Sequence, residues 1–301
     1  MNTPRFTIAA VERDTGLSKD VLRMWERRYG FPVPERDTNG ERSYPAAQVE
    51  RLRLIKRLID AGHRPGKLIA APEADLLSLA PRRPIEHPSS SPPARAALEE
   101  LLTLIKSHDT PGYQQAMQQR LARQGLLNFV QDTVAPLTRR VGEAWEDGSI
   151  EVFEEHLFTE LTKRQLRQAI AALPGNSRSP RILLTTVPDE LHVLGLLMAE
   201  ALLVLEGAEC IPLGTQMPLL EICRATTAHQ ADVVALSFSA AFPQRQIPGL
   251  LQQLRQALPA EVALWAGGGG VKRLSHIEGV VLLNELDSAL AALNAWRNAA
   301  R

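Results

Sequence analysis

Apolar positions change their period twice along the 301 residues. Near the start they recur at helical spacing in two short stretches, 7–13 and 19–29, separated by a turn at 14–17 in which Gly16 is free to take a positive φ. Ser18 is placed to cap the second helix, since its hydroxyl can accept from first-turn amides. On that helix Val21, Leu22 and Trp25 form an apolar stripe, and Lys19, Arg23 and Arg27 lie opposite. This is helix-turn-helix patterning: one side packs, the other is a narrow polar face suited to a groove. Pro32 and Pro34 then stop helix continuation, and Asn39-Gly40 signals a tight turn, so a small hairpin or wing is expected over 33–44. A longer helix follows over 45–61, with Val49, Leu52, Ile55 and Leu58/Ile59 in register and Gly62 at its end. A short helical pair is expected over 65–80.

Residues 81–93 hold five prolines, three serines and one large apolar residue, Ile85. Such a stretch buries no core and reads as a linker. From about 95 to 173 the helical period returns: Leu98, Leu101, Leu102 and Ile105 recur in a first segment, and others follow near 109–123, 125–142 and 151–173, with breaks at Gly125 and Gly148-Ser149. That is a four-helix bundle. After Pro174-Gly175 the pattern changes to short continuous apolar runs at 181–187, 210–213, 233–237, 262–265 and 280–283. Helical stretches at 191–206, 217–229, 244–257 and 284–298 separate them. Five buried parallel strands alternating with helices predict a doubly wound, flavodoxin-like α/β domain. The expected division is therefore 1–80 winged helix-turn-helix, 81–93 linker, 94–175 helical bundle and 176–301 α/β domain.

Composition sharpens this in two respects. The 34 Lys+Arg balance the 34 Asp+Glu, yet residues 1–80 carry 14 basic against 11 acidic side chains. The basic ones cluster: Arg23, Arg27 and Arg28, then Arg36 and Arg42, then Arg51, Arg53, Lys56 and Arg57. A local basic face binds phosphates even on a neutral chain. Cys210 and Cys223 are the only cysteines, too few for a disulfide scaffold or a four-Cys zinc site. No 18-residue uncharged apolar segment occurs, so no membrane span is expected, and the protein is expected in the cytoplasm.

In a doubly wound domain the ligand lies beyond the carboxyl ends of the strands. The loops there are 188–192, 213–217, 237–243 and 266–271. The first holds His192, whose ring can donate to a metal while Glu190, two residues earlier, holds its tautomer. Gly195 leaves room for a large planar ligand or its tail. Ser237 and Ser239 end the third strand, and Gly267–Gly270 permit close backbone approach, although the run lacks the spacing and the Lys-Ser/Thr of a P-loop and no GxGxxG opens the first βα unit. In the bundle, Trp145 is followed by Glu155-His156: an aromatic wall and two hydrogen-bonding groups that could cover a planar cofactor, or else a core tryptophan and a helix surface.

These residues carry a resemblance. The string from Val21 to Phe31, with its WERRYGF, and the segment Asn39-Gly40-Glu41-Arg42-Ser43-Tyr44 resemble the winged DNA-binding domain of MerR-type regulators over about residues 6–75. That implies double-stranded operator DNA as partner, a homo-oligomer (dimer or tetramer), and Lys19, Arg23, Arg27, Arg28, Arg42 and Tyr44 as DNA-binding residues. The C-terminal part is similar to the cobalamin-binding module, whose Asp-x-His-x-x-Gly is matched by Glu190-Leu191-His192-Val193-Leu194-Gly195 with Glu for Asp. Its Ser-x-Leu stands as Ser237-Phe238-Ser239, with Ser for Leu, and its closing glycines as the Gly267, Gly268, Gly269 run. The resemblance implies His192 as lower axial cobalt ligand, with the nucleotide tail passing Gly195, Ser237 and the glycines. Phe238 or Phe242 could fill the volume that Ser239 lacks.

The Trp-x9-Glu-His spacing of Trp145, Glu155 and His156 resembles the cap of light-sensing, adenosylcobalamin-dependent repressors of the CarH/LitR type, where it shelters the upper adenosyl group. Members place a histidine after the tryptophan; Glu146 stands there in this chain, so an upper histidine from that position is not implied. The implied function is a cobalamin-dependent transcriptional repressor rather than an enzyme, with adenosylcobalamin as cofactor and light as a possible input. A light-independent cobalamin sensor and a corrinoid-carrying enzyme module are the alternatives.

Overall fold

The computed structural model describes residues 5–36, 40–60, 63–79, 92–173 and 178–299. They form two compact units: residues 5–79 with 143–150, and residues 92–142 with 151–299. Residues 81–91 of the expected linker, and Asn39 of the expected turn, lie outside the described residues.

In the first unit, β1 (Arg5–Thr7) leads into α1 (Ile8–Thr15) and α2 (Lys19–Tyr29). Thr7 Oγ1 and Ser18 Oγ accept from Ala10 N and Val21 N, capping the two helices, and Gly16 closes α1 at φ 69°. The wing is β2 (Glu35–Arg36) with β3 (Arg42–Pro45), and α3 (Ala46–Asp60), α4 (Pro65–Ala70) and α5 (Glu73–Leu79) complete the unit. β3 pairs antiparallel with β2 on one side and β1 on the other. The apolar stripes converge: Val11, Leu22, Trp25, Leu52, Ile55 and Leu58 are all buried in one cluster. One expectation is corrected here. Tyr44, read as a DNA-facing wing residue, is fully buried, because pairing opposite Phe6 in β1 turns its side chain into that core.

The second unit begins with the bundle helices α6 (Pro92–Lys106), α7 (Thr110–Asn128), α8 (Ala135–Glu146) and α9 (Val152–Ala171); only residues 143–146 of α8 fall in the first unit. Gly125 breaks the second of these at φ 72°. A π-helical turn, Phe129–Val134, follows with Phe129, Val130 and Val134 buried. The α/β part comprises β4 (Arg178–Thr185), α10 (Leu194–Leu205), β5 (Ala208–Gly214), α11 (Leu219–Ala228), β6 (Val233–Ser237), α12 (Ile247–Ala257), β7 (Ala263–Gly267), β8 (Val280–Leu283) and α13 (Leu286–Ala299). The sheet is parallel throughout, in the order β5-β4-β6-β7-β8.

Bundle and sheet belong to one compact unit, and α10 explains why. Its sequence, LGLLMAEALLVL, is apolar on every face apart from Glu200, and a helix of that kind must be covered all round. It packs on the sheet with one side and on α7 and α9 with the other. Among the described residues no helix is long and apolar enough to cross a membrane.

Candidate functional site

The chain leaves β4 for one neighbour, β5, and returns to the other, β6, so the crevice between the loops after β4 and β6 is the sheet's topological switch point. Glu190 and His192 stand on the first of those loops, and Ser237 and Ser239 at the start of the second.

Glu190 organises the site. Its side chain is 1% exposed, and three donors converge on its carboxylate. Oε1 accepts from the His192 backbone N–H at 3.0 Å and pairs with His192 Nδ1 at 2.7 Å. Oε2 accepts from the Ser239 backbone N–H at 2.7 Å, tying the two loops together. Thr186 Oγ1 donates to the Glu190 carbonyl at 2.6 Å and accepts from Gln216 N, which brings in the loop after β5. Burial alone would raise the Glu190 pKa; the hydrogen bonds from the His192 ring and backbone and from Ser239 outweigh it, and the group lies below its ordinary value. The His192 pKa is raised, first by the hydrogen bond to Glu190, against desolvation, and then by the charges of Glu190 and Glu155. In the neutral ring, Nδ1–H donating to Glu190 leaves the lone pair on Nε2. With the side chain 59% exposed, that nitrogen is available to a metal. Asp189 and Gln216 hold positive φ values of 67° and 62° beside this network.

The small residues around it have separate roles. A Cβ on Gly195 would sit 2.8 Å from Ser237 Oγ, so glycine keeps that gap between α10 and β6 open. At Gly268, with φ +99°, a Cβ would run into the Phe238 carbonyl, and at Gly270 it would come within 2.7 Å of the Ser239 carbonyl. Gly269 meets Ala240, and Gly267 meets Leu283. The closing glycines thus let the loop after β7 lie against the loop after β6. Phe238 and Phe242 both belong to the hydrophobic core with Ile247 and Leu251, edge to face at 5.4 Å.

Of the bundle residues, Trp145 falls in the first unit, and Glu155 and His156 fall in the second. Glu155, in the first turn of α9, accepts from Thr159 Oγ1 at 2.8 Å, and its charge contributes to raising the His192 pKa. His156 is 73% exposed, 3.9 Å from Glu155. That turn is anchored by residues the sequence did not single out: buried Glu154 accepts from Glu151 N at 2.7 Å and bonds His108 Nε2 at 3.2 Å. Thr186 and Gln216 were missed as well; a second threonine at the end of the first apolar run was the only local sign.

On the first unit, Arg27 and Arg28 are exposed on α2, Arg28 lying over the Tyr29 ring. Lys19 pairs with Glu12 at 3.4 Å, Arg23 with Asp20 at 3.7 Å, and Arg42 with Glu26 at 3.0 Å. Arg51, part of the basic cluster, is committed elsewhere: it donates to the Ile69 and Ala71 carbonyls and stacks on Phe31.

Residues fit a large metal-bearing cofactor better than a bare ion. Among the described residues no group of three or more His, Cys, Asp and Glu could hold a metal ion; one histidine with a buried carboxylate behind it suits a metal that brings its other ligands. Comparison with known proteins agrees. Residues 6–69 match the MerR HTH family of regulatory proteins, and residues 97–170 match the B12 binding domain. The chain is 32% identical over 274 residues to the HTH-type transcriptional repressor CarH of Myxococcus xanthus, covering 90% of each, and 28% identical over 300 residues to the repressor CarA of the same organism, covering 97% of each. The monomethylamine corrinoid protein of Methanosarcina barkeri shares the fold of 67% of this chain and 99% of its own (TM-score 0.54, 17% identity). A MerR-type DNA-binding region joined to a B12-binding region defines the class. Within it, the chain belongs to the family of the transcriptional repressor CarH.

Proposed function

We propose that the protein is a cobalamin-controlled, DNA-binding transcriptional repressor and not an enzyme, acting in the cytoplasm as a homo-oligomer on an operator. The observation that carries this reading is the Glu190–His192 pair at the switch-point crevice of a chain that opens with a MerR-type helix-turn-helix. His192 Nε2 would ligate cobalt, with Glu190 fixing the ring. Gly195, Ser237 and Ser239 would border the nucleotide tail, and the glycine run 267–269 would back that loop. Glu155 and His156 would help to cover the cofactor. When bound, adenosylcobalamin supplies a cobalt–carbon bond that light can break. Lys19, Arg23, Arg27, Arg28 and Arg42 would face the DNA. The domain limits 1–80, 94–175 and 176–301 remain the functional division we favour, with α10 coupling the last two.

The test is a dark absorption spectrum of the full chain with adenosylcobalamin, beside an operator-binding titration, for wild type and His192→Ala. The variant is expected to lose the His-ligated spectrum and the effect of cobalamin on DNA binding; unchanged colour and unchanged DNA response would overturn cobalt ligation as the mechanism. A second reading, a light-independent cobalamin sensor, is favoured by Glu146, exposed after Trp145 where a histidine would be needed. A light pulse separates the two: a stable, protein-held photoproduct that changes DNA binding supports photoreception, and cobalamin-dependent DNA binding indifferent to light supports the sensor.

A further inference from the structure

One atom in the crevice has no role in the protein's own structure. Ser239 Oγ is buried without a hydrogen-bond partner, although the same residue's backbone N–H is engaged by Glu190. Buried hydroxyls are satisfied in the great majority of proteins, and one left over at a binding crevice calls for a group on the ligand. The surrounding side chains cannot supply it. Phe238 and Phe242 are packed into the core, and Ser237 Oγ borders the gap at Gly195.

We propose that Ser239 selects the lower base of the cobamide, its hydroxyl bonding a heteroatom on the edge of a purine. This inference rests on the corrinoid reading above. All cobamides share the ribose and phosphate of the nucleotide tail, so a bond to either would make no selection. The bases differ. The outer ring of dimethylbenzimidazole presents only carbon-bound hydrogens and methyl groups, and would leave Ser239 Oγ unpaired. The six-membered ring of adenine presents nitrogen acceptors and an amino donor, and a serine hydroxyl can serve either. A leucine at this position would favour the hydrocarbon edge instead.

The experiment measures equilibrium binding of two cobamides, one with dimethylbenzimidazole and one with adenine as lower base. The proteins are the full-length wild type, Ser239→Leu and Ser239→Ala, each with its absorption spectrum and its melting temperature without ligand. Wild type is expected to hold the adenine form about tenfold more tightly, the discrimination that one unpaired buried hydroxyl produces. Ser239→Leu should reverse the preference. Ser239→Ala should abolish it, with the same His-ligated spectrum and an unchanged ligand-free melting temperature, because the hydroxyl bonds nothing in the protein. Equal affinities in wild type, or a preference that neither variant alters, would overturn the assignment. Binding of neither cobamide by wild type would instead sink the corrinoid reading itself.

Discussion

Two ion pairs of similar length do different work in this molecule. Glu190 and His192 meet at 2.7 Å, and Glu26 and Arg42 meet at 3.0 Å. The Glu190 side chain is 1% exposed, whereas Glu26 is 29% and Arg42 31% exposed. In the crevice, desolvation makes any unpaired charge costly, so Glu190 is held by three donors and its geometry is fixed. At the surface of the DNA-binding unit, water and salt screen the pair, and the attraction adds little to stability. The first pair sets the orientation of a ring; the second leaves a cation available to exchange one acidic partner for another. Burial, not distance, makes the difference.

The strongest way to break the buried pair is through the loop behind it. Gly268→Ala places a methyl group against the Phe238 carbonyl and adds strain at φ +99°, so the segment that offers Ser239 N–H to Glu190 must move. We expect a loss of about 3 kcal/mol in folding stability, read by denaturant unfolding, together with loss of cobalamin binding. Next comes Glu190→Gln, which keeps the shape and removes the charge. Its amide cannot accept on both sides, so either His192 or Ser239 loses its acceptor. Supporting residues of this kind typically contribute about 10–100-fold to metal affinity, and cobalamin titration should show a weakening in that range with the unliganded fold retained.

Glu200 sharpens the comparison. It too is a buried glutamate, 8% exposed on α10, but burial raises its pKa and only the charge of Arg167 opposes the shift. Its charged form is therefore disfavoured in the folded state. Below the unfolded carboxyl value both states are protonated and no penalty applies. As the pH rises through the raised folded value the penalty develops in full. Glu200→Gln should accordingly stabilise the protein by about 1 kcal/mol at neutral pH and not at all near pH 4. Thermal melts at the two pH values check this; equal effects at both would show that the carboxylate is satisfied by solvent.

The sequence revealed the fold better than the site, for physical reasons. The strands around Val233–Ser237 and Ala263–Gly267 are continuous apolar runs whose burial on both faces is legible locally, and the helical stripes at Leu22/Trp25 and Leu52/Ile55/Leu58 are periodic. β1 is not legible, since three residues become a strand only by pairing with β3. The same pairing turns inward Tyr44, which the family resemblance alone assigns to DNA. Glu190 and His192 are neighbours, so their partnership was readable from spacing. The bond from Ser239 spans 49 residues, and those from Gln216 to Thr186 and from His108 to Glu154 span 30 and 46; they arise from tertiary structure alone. Arg51 had a basic neighbourhood but found backbone carbonyls.

The smallest expected effect belongs to the exposed pair, and it decides what Arg42 is for. Glu26 lies on α2 and Arg42 on the wing strand β3, so the pair joins the two elements that would straddle DNA. Glu26→Gln retains a hydrogen-bond acceptor and removes one negative charge; at this exposure stability should change by about 0.5 kcal/mol or less. DNA binding is the more telling readout. If Arg42 leaves Glu26 for a phosphate, Arg42→Ala should make the fall of log affinity with log salt shallower by about 0.9, the contribution of one phosphate contact. Glu26→Gln should tighten binding at low salt while leaving that slope in place, because the arginine no longer has to abandon a carboxylate. Were Arg42→Ala to weaken binding at an unchanged slope, the residue would be a strut that sets the angle between helix and wing, and the surface pair would resemble the buried one after all.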